Sequence, residues 1–294
     1  MKCAKKGMHV LASCRTEQGL RSLSAVTING KGTIRGFLMD PTSETSVLEM
    51  KIRLQDELTT KNKDLFAIVN CPGPLTVGHD DELTLDDYKK SMEQNFFALV
   101  RVVHCFKEML KRSRGRIINL SSVYGKFAVP GLNPHCLSDS CIEVYSDLLR
   151  REFGSQGIKT IVVQGGFLRG AGQVVASLKE TWEKMPQPSG AFSNDKEYRQ
   201  KVLCRVNSKE NSIFHCPFEC WTTSCLFNAI VSAYPRRRYV IGFSNMIFFT
   251  PISLIPAIFQ DFLLRFYWFL PWFPRCVHCV ECTKDPKTID SLPC

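Results

Sequence analysis

The stretch "GRIINLSSVYGK", Gly115 to Lys126, decides the fold. Its aliphatic and β-branched run carries no polar alternation before Ser121 and Ser122, which is the pattern of a strand buried on both faces, and Gly125 marks the turn that ends it. Four other runs share that character: "HVLASC" (His9 to Cys14), "TIRGFLMD" (Thr33 to Asp40), "LFAIVN" (Leu65 to Asn70) and "IKTIVVQ" (Ile158 to Gln164). Segments of helical character separate them. "TSETSVLEMKIRLQDEL" offers Thr42 and Ser43 as caps, and "TLDDYKKSMEQNFFALVRVVHCFKEMLK" reads as one long helix. Near-continuous apolar strands alternating with helices predict an α/β fold, a Rossmann-like doubly wound parallel sheet covered on both faces.

The chain has 294 residues, 44% of them hydrophobic, enough for one large core. Fourteen cysteines are scattered singly through apolar segments, where a reduced thiol packs as a small hydrophobe. "MKCAKKGMHVLASC" lacks the apolar length and small-residue site of a cleaved signal peptide, so a reducing compartment is expected. The formal net charge of +10 gathers in "KEMLKRSRGR" and at Arg236, Arg237 and Arg238. No aromatic residues interleave these charges, so no nucleic-acid partner is expected, and solvated helix ends or a membrane surface account for them.

From Phe167 to about Asn211 the strand rhythm stops, and 167–211 reads as a substrate lid or insert. From Tyr239 to Pro274 the chain is strongly apolar, broken by Pro251 and Pro256. Gln260, Asp261 and Arg265 fall on one side of a helix whose other side carries Ile255, Phe259, Phe262, Phe266 and Phe269. The breaks disfavour a single span, and Tyr267, Trp268 and Trp272 suit an interface, so a helix or hairpin lying at a bilayer is expected. A core helix covering a substrate pocket is the alternative. In "CVHCVECTKDPKTIDSLPC", Cys276, His278, Cys279 and Cys282 have close ligand spacing without a second pair, so no metal site is assigned. An unstructured tail or lipidated cysteines remain open for it. The expected organisation is therefore 1–238 as the Rossmann-like domain, 239–275 as membrane-associating helices and 276–294 as a Cys-rich tail.

These motifs, taken together from about His9 to Pro274, resemble the short-chain dehydrogenase/reductase family, in its retinol and hydroxysteroid dehydrogenase branch. The residues that carry the resemblance are "LMDPTS" with Asp40, "IVNCPG", "MEQNFFAL" with Asn95, "GRIINLSSVYGK", "EVYSDLLRREFGSQGIKTIVV", "TWEKMP" and "SAYPRRRYVIG". The resemblance implies NAD-dependent interconversion of a lipid alcohol and its carbonyl compound, with Asp40, Asn70 and Gly73 at the cofactor and Ser122 and Asn95 at the reacting group. It also implies a retinoid or steroid-like ligand, a membrane surface at the endoplasmic reticulum, and a homodimer or heterodimer with a related dehydrogenase through the long helices.

Two departures point to impaired or absent activity. A helix bearing the family's Tyr and, at i+4, its Lys would bring phenol and cation to one face. In "GLNPHCLSDS" those positions are His135 and Asp139. A carboxylate beside the imidazole is expected to favour the imidazolium, which cannot accept a proton. The family's first strand and glycine-rich turn would precede "KKGMHVLASC", and roughly 30 residues of such a strand–turn–helix unit are expected to be missing. The sheet is then expected to lack its first strand, with a gap between His9–Cys14 and Leu65–Asn70 and weakened dinucleotide binding. Pro72, which has no N–H to donate, and the Gln164-Gly165 pair soften the same site further. A binding protein or partner subunit without catalysis is the alternative reading.

Overall fold

The structure is a computed structural model, and it describes residues 1–25, 30–71, 73–78, 80–165, 171–184, 219–242 and 245–269. Among the described residues six parallel strands form two sheets. β1 (His9–Cys14) pairs with β2 (Thr33–Leu38), in register from His9 opposite Thr33 to Cys14 opposite Leu38. The second sheet has the order β3 (Ala67–Asn70), β4 (Arg116–Ser122), β5 (Lys159–Gly165) and β6 (Arg238–Val240). The five strands expected from the sequence are present within a few residues of their expected ends; β6 lies inside the "SAYPRRRYVIG" segment. Among the described residues no strand joins β1 to β3.

Helices explain why the two sheets still form one body. After α1 (Lys2–Lys5) and α2 (Glu17–Ser24), α3 (Glu44–Thr60) starts where Ser43 Oγ accepts the Ser46 amide. α4 (Leu85–Met92) starts at a capping box between Thr84 and Asp87, and α5 (Ala98–Ser113) follows. Val47, Met50 and Leu54 of α3 and Val102, Phe106 and Met109 of α5 make one apolar cluster. Leu11 of β1, Phe37 of β2 and Ile68 of β3 pack against it, so one helical layer spans both sheets. On the other face Lys2 of α1 donates to Ser224 Oγ of α8 (Glu219–Val231), and Ala229 of α8 packs on Ile118, Ile161 and Val163. α6 (Asn133–Phe153) and α7 (Ala171–Lys184) precede α8.

The helix read from Thr84 to Lys111 is continuous but not uniform, because a π-turn, Glu93–Phe97, separates α4 from α5. The extra residue in that turn places Asn95, 3% exposed, toward the interior. The lid region is described only for Ala171–Lys184, a helix; the remainder of 167–211 and the tail 276–294 fall outside the described residues. The apolar segment contains a single helical turn at Thr250–Ile252 and then α9 (Ala257–Phe269). Among the described residues no helix is long and apolar enough to cross a membrane.

A two-stranded sheet is marginal by itself and takes most of its stability from the layer it packs on. Residues of β4 and β5 are almost all buried, whereas β1 and β2 are half-exposed throughout. In native-state hydrogen exchange, the amides of Ile118 and Val162 are therefore expected to exchange only through global unfolding. Those of β1 and β2 should exchange at least about tenfold faster, through local opening.

Candidate active site

The site lies at the carboxyl ends of β3, β4 and β5, where α6 begins. Ser122 ends β4, and its Oγ accepts the Tyr124 amide at 3.3 Å, so the hydroxyl also caps the one-turn helix Val123–Gly125. Gly125 permits a close approach: a Cβ there would stand 2.9 Å from the Asp139 carbonyl carbon and oxygen. Ser140 Oγ locks this contact by donating to the Gly125 carbonyl at 2.8 Å. α6 opens with Pro134 in its first turn, where a missing N–H costs nothing. Its His135 and Asp139 are thereby pressed against the turn. The imidazole is 16% exposed and the carboxyl 1% exposed, with His135 Nε2 3.3 Å from Asp139 Oδ2.

Burial sets the charge state of this pair. The Asp139 carboxyl is pushed up to about 8, first by loss of water and then by the nearby negative Glu143; the Ser122 amide opposes both without offsetting them. The His135 imidazole is pushed down to about 4, again by loss of water. Both groups are neutral at pH 7, and the sequence expectation of an imidazolium beside a carboxylate is corrected. That expectation weighed the attraction between the two charges but not the cost of burying them without a cation.

Asn95 belongs to the same region. Its Oδ1 accepts the Gly73 amide at 2.7 Å, and its Nδ2 donates to Ser91 Oγ and Ser138 Oγ, both at 3.4 Å. Asn95 thus ties the end of β3 to α6 beside Asp139. Asn70 does not join them: its Nδ2 donates to Asn119 Oδ1, and Asn119 donates on to Ser146 Oγ, each at 2.8 Å. Asp40 lies at the end of β2, a separate corner of the site. Its Oδ1 accepts the amide and hydroxyl of Thr42, and Arg15 Nε stands 3.9 Å away. The Thr42 amide is the main cause that holds this half-exposed carboxyl below its ordinary range.

Sequence reasoning missed Glu143. It continues the His135–Asp139 face one turn further, 4% exposed, accepting Gln164 Nε2 at 2.8 Å and Arg238 Nη2 at 3.0 Å. Arg238 also bridges to Asp147 Oδ2 at 3.1 Å. The carboxylates at 139, 143 and 147, spaced i, i+4 and i+8, were the available signal. Apolar side chains pack beside the pair: Val123, Tyr124 and Cys136 cluster with Val129, Leu132 and Phe249. The Tyr124 ring lies edge-on to His135 at 6.1 Å. Among the described residues no group of three or more His, Cys, Asp or Glu is placed to hold a metal ion.

The neutral pair gives stability a defined pH dependence. Between pH 4 and 6.5 the native pair holds one proton on Asp139 and the unfolded pair holds one on His135, so the pair contributes no slope. From pH 6.5 to 8 only the native state keeps its proton, and stability should fall as pH rises. At about 1.4 kcal/mol per pH unit, the fall amounts to at most about 2 kcal/mol. Asp139→Asn should abolish it and expose the imidazole, so that stability rises between pH 4 and 6.5. Urea midpoints at pH 5, 6.5 and 8 measure both.

Comparison with known proteins agrees with this architecture. The family model for short chain dehydrogenases matches residues 1–181. Human dehydrogenase/reductase SDR family member 9 is 30% identical over 265 residues, covering 88% of this chain and 80% of that protein. Human 17-beta-hydroxysteroid dehydrogenase type 6 is 28% identical over 269 residues (90% and 82%), and mouse retinol dehydrogenase 16 is 26% identical over 270 residues (90% and 81%). Among solved structures, a short-chain dehydrogenase from Streptomyces avermitilis superposes with a TM-score of 0.65 at 17% identity, covering 89% of this chain and 87% of that one. One from Burkholderia phymatum in complex with NAD gives 0.62 at 14% identity, covering 97% and 89%. A parallel sheet with its site at the strand ends, a match to the family over more than half the chain, and relatives at 30% identity all agree: the protein belongs to the short-chain dehydrogenase family, in its retinol and hydroxysteroid dehydrogenase-like branch.

Proposed function

We propose that this chain is a nicotinamide-dependent oxidoreductase of lipid alcohols or ketones whose turnover is strongly impaired. The observation that carries this reading is the neutral His135–Asp139 pair, buried without a cation where the family's phenol and ammonium would stand. Loss of a positioned acid/base group costs ~10²–10⁴-fold, and the missing positive charge adds a similar factor. The apolar cluster beside Ser122 and Asn95 supports a retinoid or steroid-like ligand for this reading.

The residues present fit a dinucleotide in part. Asp40 presents a half-exposed, ordered carboxylate at a strand end, suited to an adenosine hydroxyl, with Arg15 beside it. Gly73 leaves the end of β3 narrow, because a Cβ there would meet Asn95 Oδ1 at 3.0 Å. Asn70 is occupied within the interior, and no glycine-rich turn stands between the two sheets among the described residues. Weak binding is the consequence. When bound, a nicotinamide supplies or accepts hydride, and the chain's own residues orient the ligand oxygen and manage its proton.

Attachment to a membrane surface, at the endoplasmic reticulum, is part of the same reading. Leu254, Ile258, Phe259 and Phe262 are 81%, 73%, 59% and 63% exposed, while Gln260 turns back to the Ile255 carbonyl. A helix that shows phenylalanines outward and a glutamine inward is suited to lie in a bilayer interface. A dimer through α4, α5 and α6 is part of this reading too: Phe97, Leu137, Val144 and Leu148 are exposed along those helices. A non-catalytic lipid-binding role is the second reading, favoured by the two sheets, which no described strand joins.

Titration with NAD and NADH, followed by nicotinamide fluorescence with melting in parallel, separates the two. Saturable binding is expected at high micromolar or weaker concentrations; no binding by a cooperatively melting chain selects the lipid-binding role. Combining His135→Tyr with Asp139→Lys should raise turnover of retinoid or steroid alcohols at least ~10²-fold, and an unchanged rate in a folded variant refutes the account of impairment. Phe259→Asp with Phe262→Asp should remove most binding to phosphatidylcholine–phosphatidylserine vesicles in flotation assays, and undiminished flotation would rule out α9 as the attachment.

A further inference from the structure

Arg101 of α5 reaches two corners of the site at once. Its Nη1 donates to the Pro41 carbonyl and its Nη2 to Glu93 Oε1, both at 2.8 Å. Pro41 directly follows Asp40, and Glu93 opens the π-turn that carries Asn95. That turn explains why glutamate and arginine meet. In an uninterrupted α-helix eight residues advance about 800°, which would leave Glu93 and Arg101 about 80° apart around the axis. The extra residue of the π-turn makes the interval equivalent to seven, about 20° from a shared face. The other contacts of the Asp40 corner are local. Thr42 donates twice to Asp40 Oδ1, Ser46 Oγ accepts the Asp40 amide, and the Ser43 amide donates to the Asp40 carbonyl. They shape the turn without fixing where it stands relative to β3, to which no described strand joins it. The apolar cluster beneath, in which Met39 packs with α3 and α5, adds cohesion but little direction.

We propose that Arg101 is a positioning residue for a dinucleotide: it fixes the Asp40 carboxylate relative to Asn95 and Gly73, so that a ligand spanning the two corners meets both at one set separation. The choice of a dinucleotide rests on the oxidoreductase reading; the link between the corners does not. A guanidinium is a planar fork whose N–H groups stand in fixed relation, so Pro41 and Glu93 cannot shift independently while both stay bonded. Two residues beyond Glu93, Asn95 holds the Gly73 amide, which extends the link to the end of β3. Ion pairs with this much exposure, 25% for Arg101 and 42% for Glu93, add little to stability, so position is what the arrangement secures. A ligand held at both ends gains because its second end binds intramolecularly, and that gain depends on the match between its span and the separation of the sites. Without Arg101 each corner keeps its own contacts, and the match between them is lost.

Calorimetric titration of Arg101→Met and of the unsubstituted chain with NADH and with AMP tests this. Methionine keeps the length of the side chain and removes its donors. NADH affinity should fall at least ~10-fold, whereas that of AMP, which reaches only the Asp40 corner, should change less than about twofold. An unchanged NADH affinity overturns the proposal. So does an equal loss for both ligands, since Arg101 would then only shape the Asp40 turn. Should Arg101→Met not melt cooperatively, Glu93→Ala takes its place with the same expectation. Hydrogen exchange of the ligand-free chain supplies a second arm. Glu93→Ala removes the anchor on the π-turn side, and exchange of the Thr42 amide, in the turn that Arg101 holds, should quicken at least about threefold. Unchanged exchange at Thr42 overturns the link. If the unsubstituted chain binds neither NADH nor AMP, the oxidoreductase reading falls, and the Thr42 amide alone decides whether Arg101 joins the two corners.

Discussion

Where the turn Val123–Gly125 meets α6, main chain lies against main chain with no room for a single methyl group, and Ser140 fastens the contact from the helix side. That approach removes the Asp139 carboxyl from water. Burial disfavours the charge on the carboxyl, with no described cation to offset it, and does the same to the imidazole beside it. The same turn begins at Ser122, so strand end, hydroxyl and pair are fixed by one packing constraint.

The i and i+4 geometry of a helix is indifferent to which residues occupy it. With phenol and ammonium, the pair would carry positive charge toward a cofactor; with imidazole and carboxyl, burial favours the neutral form of each group. Glu143, Arg238 and Asp147 continue the face outward as a fully paired network, and that pairing keeps the region folded although three carboxyl groups share one side of α6.

Much of this was legible in the sequence. Strands such as "RIINLSS" and "TIVVQ" announce themselves because a strand covered on both faces must be apolar throughout, and Ser43 and Thr84 are read as caps for equally local reasons. The residues at 95, 122, 135 and 139 were found through a recognised pattern of positions. What stayed hidden depends on distance and burial. The π-turn at Asn95 leaves no compositional mark, and the short "RYV" strand needs β5 beside it to be a strand at all. The charge of Asp139 is decided by burial and then by Glu143, neither of which spacing alone can weigh. The tie from Asn70, read as a cofactor residue, to Asn119 in the interior was equally hidden, since the direction of its side chain follows from register.

The division of the sheet also bears on how the protein behaves in concentrated solution. Among the described residues β1 and β3 are each paired on one side only, and "HVLASC" and "AIVN" contain no lysine or proline to blunt the other side. Phe66 and Val69, at 45% and 38% exposure, put apolar surface beside one of these edges. Such edges are templates for strand addition, so the boundary between the sheets is where chains would begin to polymerise edge to edge as they are expressed or stored.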